Sequence, residues 1–344
     1  MARIAPYAEQ YKLENLKGPG DARPSAVQII EDQGLVEDPA WSGRVVLITG
    51  CSPGGLGPET AKAIRLTGAD IYVTSRDLAK GKQVADELLA DGKPGKVEAI
   101  QMDLGSLDSV RAAAKEFLHK SGNKLNILIN NAGVMACPKG KTVDGFETQF
   151  GTNHLGHFLL FELVKDAMLA SASPSFNSRV VSVASAAHRR GKINFDDLNF
   201  DHTEYTPLGA YDQSKLANIL FANELDRRYK SQNLRGLSIH PGGILTPLAR
   251  HLPTTDDIKA DPVLSAFLKD SGQGAATTVW AAVAKEWEGK GGVYLDECAE
   301  GWLTPDDALY YHGGYAPQAF DPPTEKKLWE VSLKLVGLLV GLSK

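Results

Sequence analysis

Tyr211 and Lys215 stand four residues apart in the run Tyr211-Asp212-Gln213-Ser214-Lys215. On a helix that spacing places both side chains on one face, about one turn apart. An ammonium beside a phenol favours the ionised phenolate and lowers its pKa from about 10 toward working pH. A tyrosine tuned in this way can give a proton to a carbonyl oxygen or take one from an alcohol. Taken alone, Tyr-x-x-x-Lys equally describes a surface helix with ordinary side chains. Its company elsewhere in the chain decides between the two.

The most telling companion is Thr49-Gly50-Cys51-Ser52-Pro53-Gly54-Gly55-Leu56-Gly57, which follows the apolar run Val-Val-Leu-Ile beginning at Val45. Glycines let the chain turn tightly and approach a pyrophosphate, and a following helix presents free N–H groups and the positive end of its dipole. Pro58 is expected at the first helical position, where its missing N–H costs nothing. Cys51 lies in this loop. Near a helix amino terminus its thiol pKa could be lowered, but a small loop filler is the simpler reading.

These residues need a framework. Short apolar runs begin at Val45, Ile71, Val97 and Leu125, so successive starts are 26, 26 and 28 residues apart. Helical patterns fill the gaps at 59–66, 81–89 and 107–118. Strand and helix alternating at this period predict βαβ units and a parallel sheet covered on both faces. Further strands are expected at 180–183, 237–240 and 292–295. The expected fold is α/β, a Rossmann-type doubly wound parallel sheet of about seven strands in a single domain. Its body would span 41–300, between a Gly-, Pro- and charge-rich extension at 1–40 (packed over the surface or partly disordered) and a carboxyl-terminal extension at 301–344. Irregular stretches at about 189–209, 246–274 and 299–325 remain, and the first two leave strand ends where open sheets bind ligands.

Composition narrows the function. A chain of 344 residues that is 43% hydrophobic and 23% charged reads as an ordinary globular protein. Net charge is −5 with no basic block, so no nucleic-acid footprint is present. Cys51, Cys137 and Cys298 are scattered and odd in number, which fits a reducing compartment and no metal site. Histidines 154, 157, 188, 202, 240 and 312 show no metal spacing either. No run reaches the ~18 to 20 apolar residues that span a bilayer, and no signal-peptide core is evident. A cytoplasmic location is expected. The apolar tail at 333–342 predicts a terminal helix or arm packing on the body or on a second subunit.

In order along the chain stand the Thr-Gly-rich loop, Asp103-Leu104, Asn130-Asn131-Ala132-Gly133, Asn153 in Asn-His-Leu-Gly-His-Phe, Ser185, Tyr211-x-x-Ser214-Lys215 and Pro241-Gly242. Across about residues 43–296 this series resembles the short-chain dehydrogenase/reductase family, in its retinol-dehydrogenase-like and WW-domain-oxidoreductase-like branch. The resemblance implies catalytic roles. Tyr211 would be the acid in carbonyl reduction and the base in alcohol oxidation, with Lys215 lowering its pKa and holding the nicotinamide ribose. Ser185 would bond the substrate oxygen, and Asn153 would break its helix locally and hold a water linking Lys215 to solvent. Gly50, Ser52, Gly55, Leu56 and Gly57 would cradle the pyrophosphate. Asp103 and Leu104 would flank the adenine, and Asn131, Ala132 and Gly133 the adjoining ribose. Pro241, Gly242 and Thr246 would close the site, Thr246 on the carboxamide or pyrophosphate. The family loop usually has three residues between its first two glycines; here Gly50 to Gly55 leaves four, so either Gly54 or Gly55 takes the middle role.

The second strand ends Thr74-Ser75-Arg76, and the acid Asp77 comes only after the arginine. An acid at that strand end would bond a ribose 2′-hydroxyl, whereas an arginine accommodates a 2′-phosphate. Ser75 and Arg76 therefore predict NADP(H), with NAD(H) as the alternative and Arg76 in a surface ion pair as the bland reading. The expected activity is carbonyl–alcohol interconversion on a hydrophobic small molecule, whether retinoid-like, steroid-like or a secondary-metabolite ketone. Tyr205, Phe267, Trp302, Tyr310 and Tyr311 could line its pocket or belong to the core. The rival readings are a non-redox isomerase, dehydratase or cyclase using the same Ser-Tyr pair, and a nucleotide-sensing interaction protein. Family habit implies a homodimer or homotetramer through the Asn153 and Tyr211 helices, unless the extensions block that face.

Overall fold

The strand β1 (Val45–Ile48) is buried at every position, as are β4 (Ile127–Asn130) and β5 (Ser178–Val183). Strands covered on both faces read as continuous apolar runs because both sets of alternating side chains meet a helix layer. In β1, Val46 and Ile48 enter one apolar layer while Val45 and Leu47 enter the other. This is the computed structural model of the protein, and it describes residues 3–252, 255–305 and 312–339.

The remaining strands are β2 (Asp70–Ser75), β3 (Val97–Gln101), β6 (Leu234–His240), β7 (Val293–Asp296) and β8 (Ala299–Glu300). They form one sheet in the order β3-β2-β1-β4-β5-β6-β7-β8, parallel throughout except for the antiparallel pair β7–β8. The fold is thus a Rossmann-like, doubly wound sheet with flanking helices. The two-residue β8 has no periodicity to reveal it in sequence, and it makes eight strands where about seven were expected. The chain order reverses between β1 and β4, so a crevice opens beyond their carboxyl ends, at Gly50 and Asn131.

Helices α1 (Ala26–Asp32), α2 (Leu56–Arg65), α3 (Leu78–Leu89), α4 (Leu107–Ser121), α5 (Gly156–Ser171), α6 (Pro207–Tyr229), α7 (Ser271–Val283) and α8 (Pro322–Leu335) cover the sheet. Their starts follow local chemistry. Ser106 caps α4, Thr206 caps α6 with Pro207 behind it, and Asp270 with Gln273 forms a reciprocal capping box on α7.

Two expectations are corrected. Pro58 is the third residue of α2, not the first; it is still within the first turn, whose N–H groups need no intrahelical acceptor. The stretch 246–274 is not irregular: it holds short helices at Pro247–His251, Thr255–Ala260 and Pro262–Phe267, too brief for periodicity to mark. Residues 1–40 supply α1, whose Ile29 and Ile30 are fully buried in the core. Leading into the tail, α8 packs on the body, one of the two arrangements expected there: it lays Trp329 on Phe221 (centroids 5.7 Å, planes 16° apart) and against Phe158 and Phe161. The chain's own carboxyl-terminal helix thus covers part of the outer face of α5 and α6, the face expected to pair in a homodimer or homotetramer unless an extension blocks it. Residues 340–342 of the tail lie outside the described residues.

Candidate active site

Helix α6 is buried at every residue from Ala210 to Asp226, so Tyr211 and Lys215 do not belong to a surface helix. The Lys215 side chain is 3% exposed, and its Nζ donates to the carbonyl of Val183, the last residue of β5, at 2.9 Å. Asn218 Nδ2 donates to the same oxygen at 3.0 Å. Lys215 Nζ lies 5.6 Å from the centroid of the Tyr211 ring. Burial pushes the Lys215 ammonium down to about 8, because removal from water disfavours the charged form.

Ser185 follows two residues after Val183 and begins a short helix, its Oγ accepting from Ala187 N at 3.1 Å. A hydroxyl that accepts on one lone pair still has its proton to donate. The ring of His188 fixes this turn through Nδ1 and the Ser185 carbonyl at 2.6 Å, and desolvation holds that imidazole down at about 4, hence neutral.

Asn153 sits in a π-helical turn, Gly151–Leu155, the local break expected for it. Its amide mimics a strand partner: Oδ1 accepts from Val134 N at 2.8 Å and Nδ2 donates to Val134 O at 2.9 Å. Nδ2 also reaches Ser214 Oγ at 2.9 Å, which in turn donates to the Tyr211 carbonyl at 2.8 Å. One amide therefore locks the β4 exit loop to α6. A Cβ on Gly133 would stand 3.3 Å from Asn153 Oδ1 and 3.5 Å from Lys215 Nζ, so the floor between them is left bare.

The glycine loop is shaped by contact. Gly50 has φ +74°, and a Cβ there would come within 2.7 Å of Ala132 Cα. On Gly57 it would meet the Gly50 carbonyl at 2.6 Å and Cys51 Sγ at 2.9 Å. Gly55 is the N-cap of α2, while Gly54 takes φ +80° and packs against Pro247. The extra residue is thereby absorbed at Gly54, and Gly55 keeps the position at the helix mouth. Cys51 is fully buried with its thiol raised by desolvation, which fits the loop filler and not a reactive thiol. Thr49 ties the two loops together: its Oγ1 accepts from Asn131 N and Ala132 N, both at 3.0 Å, and meets His157 Nε2 at 2.8 Å.

At the end of β2, Ser75 Oγ bonds Ser52 Oγ at 3.1 Å. Asp77 caps α3 by accepting from Ala79 N at 3.0 Å and Lys80 N at 3.3 Å. Arg76 is exposed and, among the described residues, makes no ion pair. Lys80, one turn further on, faces the same cleft and was missed in sequence, although its i+4 spacing from Arg76 was readable.

A single cleft of about 560 Å³ is lined by every candidate site residue except Gly57 and Asn153, which sit just behind it. It runs from Arg76 past Gly50 and Asn131 to Lys215, Tyr211 and Ser185, and continues to Leu264, Phe267, Asp296 and Glu297. Pro241, Gly242 and Thr246 form its other lip, Thr246 capping the short helix with Pro247. Asp103 Oδ1 accepts from Gly105 N at 2.9 Å, which sets the wall carrying Leu104. Of the aromatic candidates Phe267 lines the cleft, whereas Tyr205 donates to the Cys137 carbonyl at 2.8 Å and Trp302 lies under Arg3. Tyr310 and Tyr311 lie outside the described residues. Among the described residues no cluster of metal-ligating side chains occurs, and no helix is long and apolar enough to cross a membrane.

A switch-point crevice with a tight glycine loop at one end and a buried Lys beside a Tyr at the other defines a nicotinamide-dependent oxidoreductase fold. Residues 44–257 match the family described as short chain dehydrogenase, and the chain belongs to that family. Among its relatives is the short-chain dehydrogenase/reductase prx1 of Penicillium roqueforti, 48% identical over 96% of this chain and 95% of that protein. Human retinol dehydrogenase 12 is 39% identical over 86% of this chain and 87% of its own length. A crystal structure of an uncharacterised protein from Mycobacterium paratuberculosis superposes with a TM-score of 0.65 at 34% identity, covering 86% of this chain and 94% of that one.

Proposed function

We propose that the protein is an NADP(H)-dependent oxidoreductase that interconverts a carbonyl and an alcohol on a hydrophobic small molecule. The observation that carries this reading is the buried Lys215 ammonium, tied to Val183 and set beneath the Tyr211 ring, with Ser185 at the mouth of the same strand.

The cleft suits a dinucleotide. Gly50 and Gly57 stand where any Cβ would collide with backbone, and Gly133 leaves the floor open beside Lys215. Gly50, Ser52, Gly55 and Leu56 would hold the pyrophosphate at the mouth of α2. Asp103 and Leu104 would border the adenine, and Asn131, Ala132 and Gly133 the ribose side. Arg76 and Lys80 are two cations beside Ser75 at the end of β2, where a 2′-phosphate would lie, and Asp77 is already engaged as a helix cap. That arrangement favours NADP(H) over NAD(H).

Bound there, the nicotinamide would supply the hydride for reduction and receive it in oxidation. Ser185 would donate to the substrate oxygen and orient it. Tyr211 would give that oxygen its proton in reduction, or remove it in oxidation, with the Lys215 charge favouring the phenolate. The Asn153 side chain is committed to Val134 and Ser214, and its carbonyl oxygen accepts from His157 Nδ1 at 2.9 Å, so a relay water at this residue would use that oxygen's second lone pair. The apolar side chains of Leu264, Phe267 and Leu268 at the far end suit a hydrophobic substrate. Retinol dehydrogenases among the relatives fit that class, and a retinoid-like or secondary-metabolite carbonyl is expected.

The test is NADPH oxidation at 340 nm against hydrophobic ketones, aldehydes and quinones, with products followed by mass spectrometry. Consumption with one carbonyl class is expected. Measurable NADPH binding together with product formation but no cofactor turnover would overturn the redox reading in favour of isomerisation or dehydration.

A further inference from the structure

The guanidinium of Arg23, in the amino-terminal extension, is among the most enclosed charges in the molecule: the residue is 4% exposed, and its side chain and that of Asp21 are each 2% exposed. Its Nε donates to Asp21 Oδ1 at 2.8 Å. Nη1 donates to the carbonyl of Phe267 at 3.0 Å. Nη2 faces the carbonyls of Leu268 at 2.6 Å, Gly18 at 3.2 Å and Ala266 at 3.3 Å. Three consecutive carbonyls of one distant segment thus converge on a single buried side chain. Arginine suits this because its planar fork presents five donors and stays charged when buried.

That segment is part of the cleft. Leu264, Phe267, Leu268 and Lys269 line its far end. The helix Pro262–Phe267 has no fully buried residue. Two sets of hydrogen bonds flank its exit. On one side Lys269 N donates to Gly243 O at 2.9 Å and Lys269 Nζ to Pro241 O at 3.1 Å, beside the nicotinamide end. On the other side is Arg23. The extension is itself anchored to the body: Gln273 of α7 accepts from Gly20 N and donates to the carbonyls of Asp21 and Arg23. Further along, Tyr11 lies over Lys269 and donates to Cys298 Sγ, next to Glu297 on the opposite wall.

We propose that Arg23 is a positioning residue for substrate: it clamps the backbone of 266–268 from outside and so sets the apolar wall that a bulky substrate touches. The role rests on the oxidoreductase reading above, but the clamp itself can be tested without it. A small carbonyl compound that reaches only Ser185 and Tyr211 does not depend on that wall, whereas a large one does. Cofactor binding at Gly50 and Arg76 is remote from it. Loss of the guanidinium leaves buried carbonyls without donors, and the segment is expected to loosen. Misplacement of a substrate wall by about 1 Å is enough to cost on the order of a hundredfold.

The experiment compares wild type with Arg23→Ala and Arg23→Lys by hydrogen exchange of residues 262–269, NADPH Kd, and kcat/KM for all-trans-retinal and for benzaldehyde. Arg23→Ala should raise exchange in 262–269 and lower kcat/KM for retinal by roughly 10- to 100-fold, mostly through KM. NADPH Kd and the benzaldehyde value should stay within about threefold, and added guanidinium ion at millimolar concentration should restore part of the loss. Arg23→Lys keeps the charge but has only three donors on one atom, so it should fall between the two, and it serves if the alanine variant does not fold. Unchanged exchange in 262–269 in a folded variant would overturn the clamp. Equal losses for both aldehydes with weakened NADPH binding would reduce Arg23 to general stability and overturn the positioning role. If wild type consumes NADPH with neither aldehyde, the substrate reading fails, and the exchange result alone decides the clamp.

Discussion

Lys215 Nζ donates to the carbonyl of Val183 across 2.9 Å, which fixes the middle of α6 to the end of β5 two residues before Ser185. The proposed proton donor and the proposed substrate-orienting hydroxyl therefore share one anchor, although 26 residues separate Ser185 from Tyr211 in sequence. Asn218 doubles the anchor on the same oxygen, and Ser214 joins it to Asn153.

Burial of that ammonium gives a pH signature. Lys215 is pushed down to about 8 from an ordinary value of 10.5, so it is charged below that point and neutral above it. If it holds the cofactor ribose, NADPH affinity for the free protein should be level below pH 8 and weaken as pH rises through it. Fluorescence titration of NADPH from pH 6 to 10 measures this. A Kd flat to pH 10, or an inflection that persists in Lys215→Met, would remove Lys215 from cofactor binding.

Arg76 and Lys80 both face the cleft at the end of β2. Charge-assisted hydrogen bonds contribute about 1.5–3 kcal/mol each, so Arg76→Glu should weaken NADPH by roughly 10- to 100-fold while leaving NADH within a few-fold. Lys80→Ala should shift the same ratio by a smaller amount. Calorimetric Kd values for both nucleotides check this, and equal losses for NADPH and NADH would sink the assignment of the 2′-phosphate site.

Much of this arrangement is legible in the sequence. Seven strands are legible because short apolar runs mark them, the run being continuous in β1 and nearly so in β4, where both faces are covered. The motifs located Tyr211, Lys215 and Ser185 because their chemistry constrains residue type. What could not be read were contacts distant in sequence and neutral in pattern. Thr49 holding Asn131, Ala132 and His157 looks in sequence like the start of a turn. That Asp77 caps α3 is likewise not marked by any pattern in the sequence. The clamp from Arg23 to 266–268 bridges more than 240 residues, and nothing in a Gly- and Pro-rich leader announces it. Short helices between 247 and 267 lack the length to show a stripe.

The carboxyl-terminal helix should matter to the whole fold. Trp329 is 3% exposed and touches Phe158, Phe161 and Phe221. Truncating a buried tryptophan costs about 3–5 kcal/mol, so Trp329→Ala should lower the urea midpoint accordingly with little change in slope. A loss below about 1 kcal/mol would show that α8 is a dispensable cover.

The central claim is that Tyr211 moves the proton. Tyr211→Phe keeps the ring and removes only the hydroxyl. General acid catalysis contributes roughly 10²- to 10⁴-fold, so the variant should lose at least a hundredfold in kcat for NADPH-dependent carbonyl reduction. NADPH Kd should remain within about threefold of wild type. That pair of numbers, measured on the carbonyl compound that wild type reduces fastest, is the most direct test. Near wild-type turnover in Tyr211→Phe would contradict the account.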